Sequence, residues 1–362
     1  MSMTANHAKT FVVAEAGVNH NGSIALAREL IDAAVAVGAD AVKFQSFVAS
    51  SIVTADAHKA EYQISNTGSN ESQFEMLQKL ELSQPQQREL FDYCNRRKIQ
   101  FLSTPFDFES LNFLSTGLGL TTIKVGSGEL TNSPFLLDVA RSAKKIILST
   151  GMSTIDDVAQ ALGVIAFGMT SPNDKPSQNS FATALKTSGG KTAISNNLTL
   201  LHCTTDYPTQ PRDINLKAML TLQEKFDCQV GFSDHSVGIH LAVAAVGLGA
   251  KVIEKHLTMD RQLPGPDHKA SIEPSEFKSM VDHIRDVEQA LGSGQKIPTK
   301  VEAQNQQIVR RSLVAGKPIK AGELFTAENV VIKRPGTGRA PIEYWSLIGT
   351  KATRDIAENE II

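Results

Sequence analysis

The sequence predicts an α/β fold: a TIM-type (β/α)8 barrel followed by a small, mostly β module. Three observations carry that expectation. Short apolar runs rich in β-branched residues alternate with helix-patterned stretches, the rhythm of parallel strands joined by crossover helices. Polar residues stand at the C-terminal end of nearly every run, where a closed barrel opens its active site. After residue 291 the rhythm gives way to a stretch of Gly, Pro, Lys and Gln, and short β-type runs follow it.

Strands are expected at 11–15, 41–45, 99–103, 122–125, 145–149, 198–203, 229–232 and 251–254. Helical patterns fill 25–37, 86–97, 110–115, 134–143, 155–167, 216–225, 239–248 and 275–291. An open doubly wound sheet is the alternative. Residues 170–197, rich in Ser, Thr, Asn and Gly, read as a surface excursion without an assigned role. The barrel is placed at 1–292, a linker at 293–307 and the second domain at 308–362, where SLVA, VVIK and ATRDI are separated by the turn-like GKPIKAGE and PGTG. A module of about 55 residues is marginal for an independent core, so it is expected to rest on the barrel or on a partner subunit.

Composition narrows the function. Hydrophobic residues make up 41% of the 362 and charged residues 20%, with no apolar run near the roughly 20 residues of a membrane span. Residues 1–10 lack the form of a secretory signal, which leads to the expectation of a soluble, cytoplasmic protein. Cys94, Cys203 and Cys228 are odd in number and irregular in spacing, against a disulfide framework or a Cys-based zinc site. A net charge of -2 with dispersed Lys and Arg offers no footprint for nucleic acid. The ligand is expected to be small.

The predicted strand ends collect Glu15, Lys43, Gln45, Ser103, Thr104, Lys124, Ser127, Glu129, Ser149, His202, Ser233, His235, Glu254 and His256. Lys43 and Lys124 sit in strands that should be buried on both faces, where an unpaired ammonium is costly. Two lysines with Ser and Thr hydroxyls around one barrel mouth suit a phosphate and a carboxylate; the alternative is that each lysine pairs with a neighbouring Glu. His235 in GFSDHS and His256 in VIEKHL fall on adjacent rims. They offer ligands for a divalent ion such as Mn2+, with Mg2+ or Co2+ as alternatives, and the lack of thiolates disfavours structural zinc. Asp267, in the turn just beyond, adds an acid or a substrate contact. Glu15, just before the turn-rich GVNHNG, reads as a general base or as an ion-pair partner of Lys43.

The runs VAEAGVNHNGS, AVKFQSF, FLSTPFD, IKVGSGE, ILSTGMST, LLHCTTDYPT, GFSDHS, IEKHLT, LPGPDHKAS and VIKRPGTG together resemble the sialic acid synthase family across nearly the whole chain. The C-terminal module resembles the antifreeze-like (SAF) domain that this family appends to its barrel. The resemblance implies a transferase that condenses phosphoenolpyruvate with an N-acetylated amino sugar. It implies that His235 and His256 hold Mn2+, and that Lys43, Thr104, Lys124, Ser127, Ser149 and Ser233 position phosphoenolpyruvate. Glu15 would handle protons, with Gln45, Tyr207 and Asp267 nearer the sugar and Glu129 a further substrate contact. It also implies a domain-swapped homodimer in which Arg334 reaches the sugar from the other subunit. Thr205 in CTTDYP and the run GPDHKAS leave two acceptors open: N-acetylmannosamine, giving N-acetylneuraminate, and 2,4-diacetamido-2,4,6-trideoxymannose, giving N,N'-diacetyllegionaminate. Pseudaminate is a third product. The rivals are a class I aldolase with Lys43 or Lys124 as Schiff base, and a non-catalytic sugar-phosphate-binding barrel.

Overall fold

A computed structural model, which describes residues 9–68 and 71–362, divides into two units, Met1–Gly292 and Ser293–Ile362. The first holds eight parallel strands: β1 (Phe11–Gly17), β2 (Ala41–Ser46), β3 (Gln100–Pro105), β4 (Thr122–Val125), β5 (Lys145–Ser149), β6 (Leu198–His202), β7 (Gln229–Asp234) and β8 (Val252–His256). β8 pairs back onto β1, from Phe11↔Val252 to Glu15↔His256, while β3 and β4 adjoin at the seam. The sheet is therefore a barrel and not an open doubly wound layer.

Side chains on each strand alternate between the barrel interior and the surrounding helices. Outward-facing Val12, Ala14, Val42, Phe44, Ile123, Leu148, Leu200, Phe232 and Ile253 join the large core beneath the helices. Inward, Val13, Ala41, Leu102, Ile147, Leu201 and Val252 form an apolar plug. Burying each such side chain contributes about 1.5–3 kcal/mol. Two residues further along the strands, the inward positions become Glu15, Lys43, Thr104, Ser149 and Glu254, so polar groups rest on an apolar floor. At the opposite end, Asp40 accepts from the Val12 amide at 2.9 Å and pairs with Arg285 at 2.9 Å. Arg285 also donates to the Thr10 carbonyl, which ties the last helix, Pro274–Ala290, to the first strand.

Three regions depart from the sequence expectation. Between β2 and β3, where only the helix at 86–97 was expected, helices also occupy Ala49–Ile52, Glu61–Thr67 and Gln73–Leu80. They are too short to show a periodicity, although Ser72 and Glu75 form a capping box. The excursion at 170–197 contains two capped helices, Gln178–Ala184 and Ser188–Asn197, which pack on Ile155–Thr170. There Phe181 stacks edge-on against Phe167, 5.3 Å between ring centroids, and Gly163 admits the Phe181 carbonyl, which would lie 2.9 Å from a Cβ. The stretch placed as a linker at 293–307 carries the start of a helix, Lys300–Val309, whose Thr299–Glu302 capping box outweighs its polar composition.

In the second unit β9 (Ser312–Ala315) and β10 (Val330–Lys333) pair antiparallel over a core of Leu313, Ile319, Phe325, Leu347 and Ile356. The ATRDI run makes an isolated bridge, Ile319↔Ile356, and no strand. Among the described residues no helix is long and apolar enough to cross a membrane.

Gly231 of β7 faces the plug, and a Cβ there would lie 2.3 Å from the Val252 carbonyl oxygen and 2.7 Å from Leu201 Cδ2. Gly231→Ala is expected to destabilise the barrel by about 1–3 kcal/mol. Urea unfolding of wild type and variant checks this; coincident midpoints would contradict the packing described.

Candidate active site

A cavity of about 380 Å³ opens at the C-terminal ends of the strands. Glu15, Lys43, Gln45, Thr104, Lys124, Ser127, Glu129, Ser149, Tyr207, Ser233, His235, His256 and Asp267 all line it. Arg334 lies exposed in the second unit. Ser103 faces outward to Ser46 at 2.6 Å, and His202 Nε2 bonds the Ile214 carbonyl at 2.5 Å, so neither strand-end residue lines this cavity.

The floor is a network of charges. Lys43 Nζ lies 2.8 Å from Glu15 Oε2 and 3.7 Å from Glu254 Oε2, and it donates to Thr104 Oγ1 at 3.0 Å. Lys124 Nζ lies 3.5 Å from Glu254 Oε1 and donates to Ser149 Oγ at 2.9 Å. Ser233 Oγ donates to the same Glu254 oxygen at 2.8 Å. Each lysine thus pairs with a glutamate while still lining the cavity. Burial pushes Glu254 upward, but Lys124 and Lys43 outweigh it and hold the carboxyl at about 2. Burial raises Glu15 to about 7 despite Lys43, a value at which a carboxyl can hold or release a proton near neutrality. The lysines differ. Burial lowers both, but Glu15 and Glu254 lift Lys43 above its ordinary value, whereas Lys124 stays below. Lys124 is the cation with the larger unmet demand for an anion.

The two imidazoles meet on the next rim. Their ring centroids are 5.5 Å apart, and the Tyr207 ring lies 4.2 Å from His235 and 5.8 Å from His256. His235 Nδ1 donates to the Thr204 carbonyl at 2.7 Å, which leaves Nε2, 3.2 Å from Ser233 Oγ, as the nitrogen that carries the lone pair. His256 Nδ1 is buried with no hydrogen-bond partner. Burial lowers His235 to about 4 and holds His256 well below its ordinary value, so both rings are neutral near pH 7, as metal ligands must be. No group of three His, Cys, Asp or Glu ligands assembles among the described residues. The pair therefore fits an ion whose remaining positions go to water or substrate.

Several lining residues had no role in the sequence reading. Glu254, named there only as a strand-end group, is the acceptor shared by both lysines. Phe47, Ile52, Gln63, Met76, Leu77 and Leu80 build a wall from the unpredicted 47–80 segment, whose sequence signal was the Ser72–Glu75 capping box ahead of Met76. GVNHNG mainly braces its neighbour: Asn19 Nδ2 donates to the Leu257 carbonyl at 2.9 Å and Ser271 Oγ at 2.8 Å, and Asn21 Nδ2 to the Pro264 carbonyl at 2.8 Å. Ser127 Oγ accepts from the Gly151 amide at 2.9 Å and contacts Cys203 Sγ at 3.2 Å. A Cβ at Gly151 would stand 2.6 Å from Thr205 Oγ1, which accounts for glycine in that loop.

The NeuB family model matches residues 30–296, most of the chain. The chain belongs to the NeuB family. The SAF domain model matches residues 310–362. It is 46% identical to the N,N'-diacetyllegionaminic acid synthase of Campylobacter jejuni, over 98% of this chain and 99% of that one. It is 43% identical to the enzyme of the same name from Legionella pneumophila, over 96% and 91%. Among solved structures it resembles an N-acetylneuraminic acid synthetase from Leptospira borgpetersenii, with a TM-score of 0.66 and 29% identity over 82% of this chain and 90% of that one.

Burial raises Asp267 from its ordinary 3.8 to about 6, against the pull of Lys43. A carboxyl raised on folding favours the fold most fully below its unfolded pKa and loses that contribution as pH climbs through the folded value. Asp267→Asn should leave stability unchanged below about pH 3 and raise it by about 3 kcal/mol at pH 8. Thermal unfolding in EDTA across that range tests it, and a difference independent of pH would exclude a raised Asp267.

Proposed function

We propose that this protein is a phosphoenolpyruvate-dependent nonulosonic acid synthase. It condenses phosphoenolpyruvate with 2,4-diacetamido-2,4,6-trideoxymannose and water, and yields N,N'-diacetyllegionaminate and phosphate. The observation that carries the reading is one cavity holding two buried lysines beside two neutral imidazoles. Lys124 and Lys43 bind the phosphate and carboxylate, with Thr104, Ser127, Ser149 and Ser233 supplying hydroxyls. His235 and His256 would hold the divalent metal, Mn2+ in this reading, which supplies Lewis-acid polarisation of the sugar aldehyde. Holding both reactants against one rim turns a bimolecular encounter into an oriented one. C3 of phosphoenolpyruvate attacks the aldehyde carbon, water adds at C2, and C–O cleavage releases phosphate and a 2-keto acid that cyclises. Glu15 is the group placed to take or give the proton. Gln45, Glu129, Tyr207 and Asp267 contact the sugar.

The diacetamido acceptor is preferred over N-acetylmannosamine because the relatives at 46% and 43% identity are both diacetyllegionaminic acid synthases. The apolar wall of Phe47, Met76 and Leu80 also suits the methyl group of a 6-deoxy sugar. The reading includes a cytoplasmic location and a domain-swapped homodimer in which Arg334 contacts the sugar in the partner's barrel. Exposed Ile342 and Trp345 in the same unit supply apolar surface for such an association. Lys124, lowered by burial, is the one feature that favours a Schiff-base aldolase.

Phosphate release from phosphoenolpyruvate should require both sugar and divalent metal and run faster with the diacetamido sugar than with N-acetylmannosamine. His235→Ala or His256→Ala should abolish it in proteins with unchanged circular dichroism. Full activity in EDTA, with borohydride trapping of pyruvate on Lys124, would establish the aldolase instead. Mixing Arg334→Ala with Lys124→Ala subunits should restore part of the activity, and its absence in verified heterodimers would refute the shared site.

A further inference from the structure

Strands β7 and β8 carry a second pair of opposite charges, outside the catalytic cavity. Asp234 and Lys255 stand directly opposite each other in the parallel register, one step beyond Ser233↔Glu254. Their chain neighbours Ser233, His235, Glu254 and His256 all line the cavity, so by strand alternation this pair projects to the other face. Both side chains are 0% exposed, with Lys255 Nζ 2.9 Å from Asp234 Oδ2. Lys255 Nζ also donates to the Ser236 carbonyl at 2.5 Å, while Asp234 Oδ1 accepts from the Ser236 amide at 2.9 Å and its hydroxyl at 2.6 Å. The two charges and Ser236 thus enclose the backbone that presents His235.

The paired register of these two strands ends at Asp234↔Lys255, so the ion pair is its last rung before His235, just past β7, and His256, the last residue of β8. Other bonds fix each histidine's backbone from its outer side. Thr209 donates its amide to the His235 carbonyl at 2.9 Å, and Ile272 donates to the His256 carbonyl at 2.9 Å. The ion pair joins the two presentations to each other. Stability alone is a weak reason for it, because removing two charges from water costs several kcal/mol per ion and an apolar pair of similar volume often serves as well. A charged, hydrogen-bonded pair does restrict geometry in a way that an apolar contact does not.

We propose that Asp234 and Lys255 are positioning residues that set the separation and orientation of His235 and His256 for a divalent cation. This rests on the metal-dependent reading above. The decisive variant is Asp234→Asn combined with Lys255→Met, which leaves no unpaired charge buried. It should bind Mn2+, followed by electron paramagnetic resonance without substrates, about tenfold or more weakly than wild type. Its affinity for phosphoenolpyruvate in EDTA, measured by calorimetry, should match wild type, because the lysine floor is untouched. Unchanged Mn2+ affinity would overturn the proposal, and so would equal losses of Mn2+ and phosphoenolpyruvate binding, the mark of a general structural defect. If the double variant does not fold, Asp234→Asn alone, which keeps an acceptor for Ser236, is judged by the same two affinities. A wild type without a saturable Mn2+ site would sink the metal reading itself, an outcome distinct from variants that bind as wild type does.

Discussion

Two ammonium groups must be buried at the centre of a barrel, and the rest of the site follows from how their charge is met. Lys43 and Lys124 rest above a floor of Val13, Leu102, Ile147 and Val252, where a lone cation is expensive. Glu254 lies between them, 3.7 Å from one and 3.5 Å from the other, and Glu15 pairs directly with Lys43 at 2.8 Å. Two carboxylates for two lysines would be a closed account if both were ionised. Glu15 is raised to about 7, so the floor is short of negative charge near neutrality and favours an anionic ligand.

The imidazoles obey the opposite requirement. Burial keeps His235 and His256 neutral, and the Thr204 carbonyl orients one of them through Nδ1. A rim of neutral imidazoles and a floor of buried lysines therefore share one cavity.

Much of this was legible in the chain. All eight strands stand where their β-branched runs place them, and the strand-end residues Lys43, Lys124, His235 and His256 converge as the period-two alternation requires. Legibility failed for short or polar elements. Gln73–Leu80 has too few turns to reveal a face, and Gln178–Ala184 packs through the single aromatic Phe181. His202 stands among the strand-end polar residues in sequence, yet its ring satisfies a backbone carbonyl instead.

The sequence by itself determined the barrel, the ring of polar strand ends and the separate C-terminal module, because periodicity and strand-end chemistry are local properties of the chain. Only the tertiary structure decided that Glu254 is shared by two lysines, that Phe47, Met76 and Leu80 wall the cavity and that Asp234 meets Lys255. Those facts depend on which side chains from distant segments fall within a few ångströms of each other. Desolvation, which shifts Glu15 and the histidines, likewise exists only once the surrounding chain has excluded water.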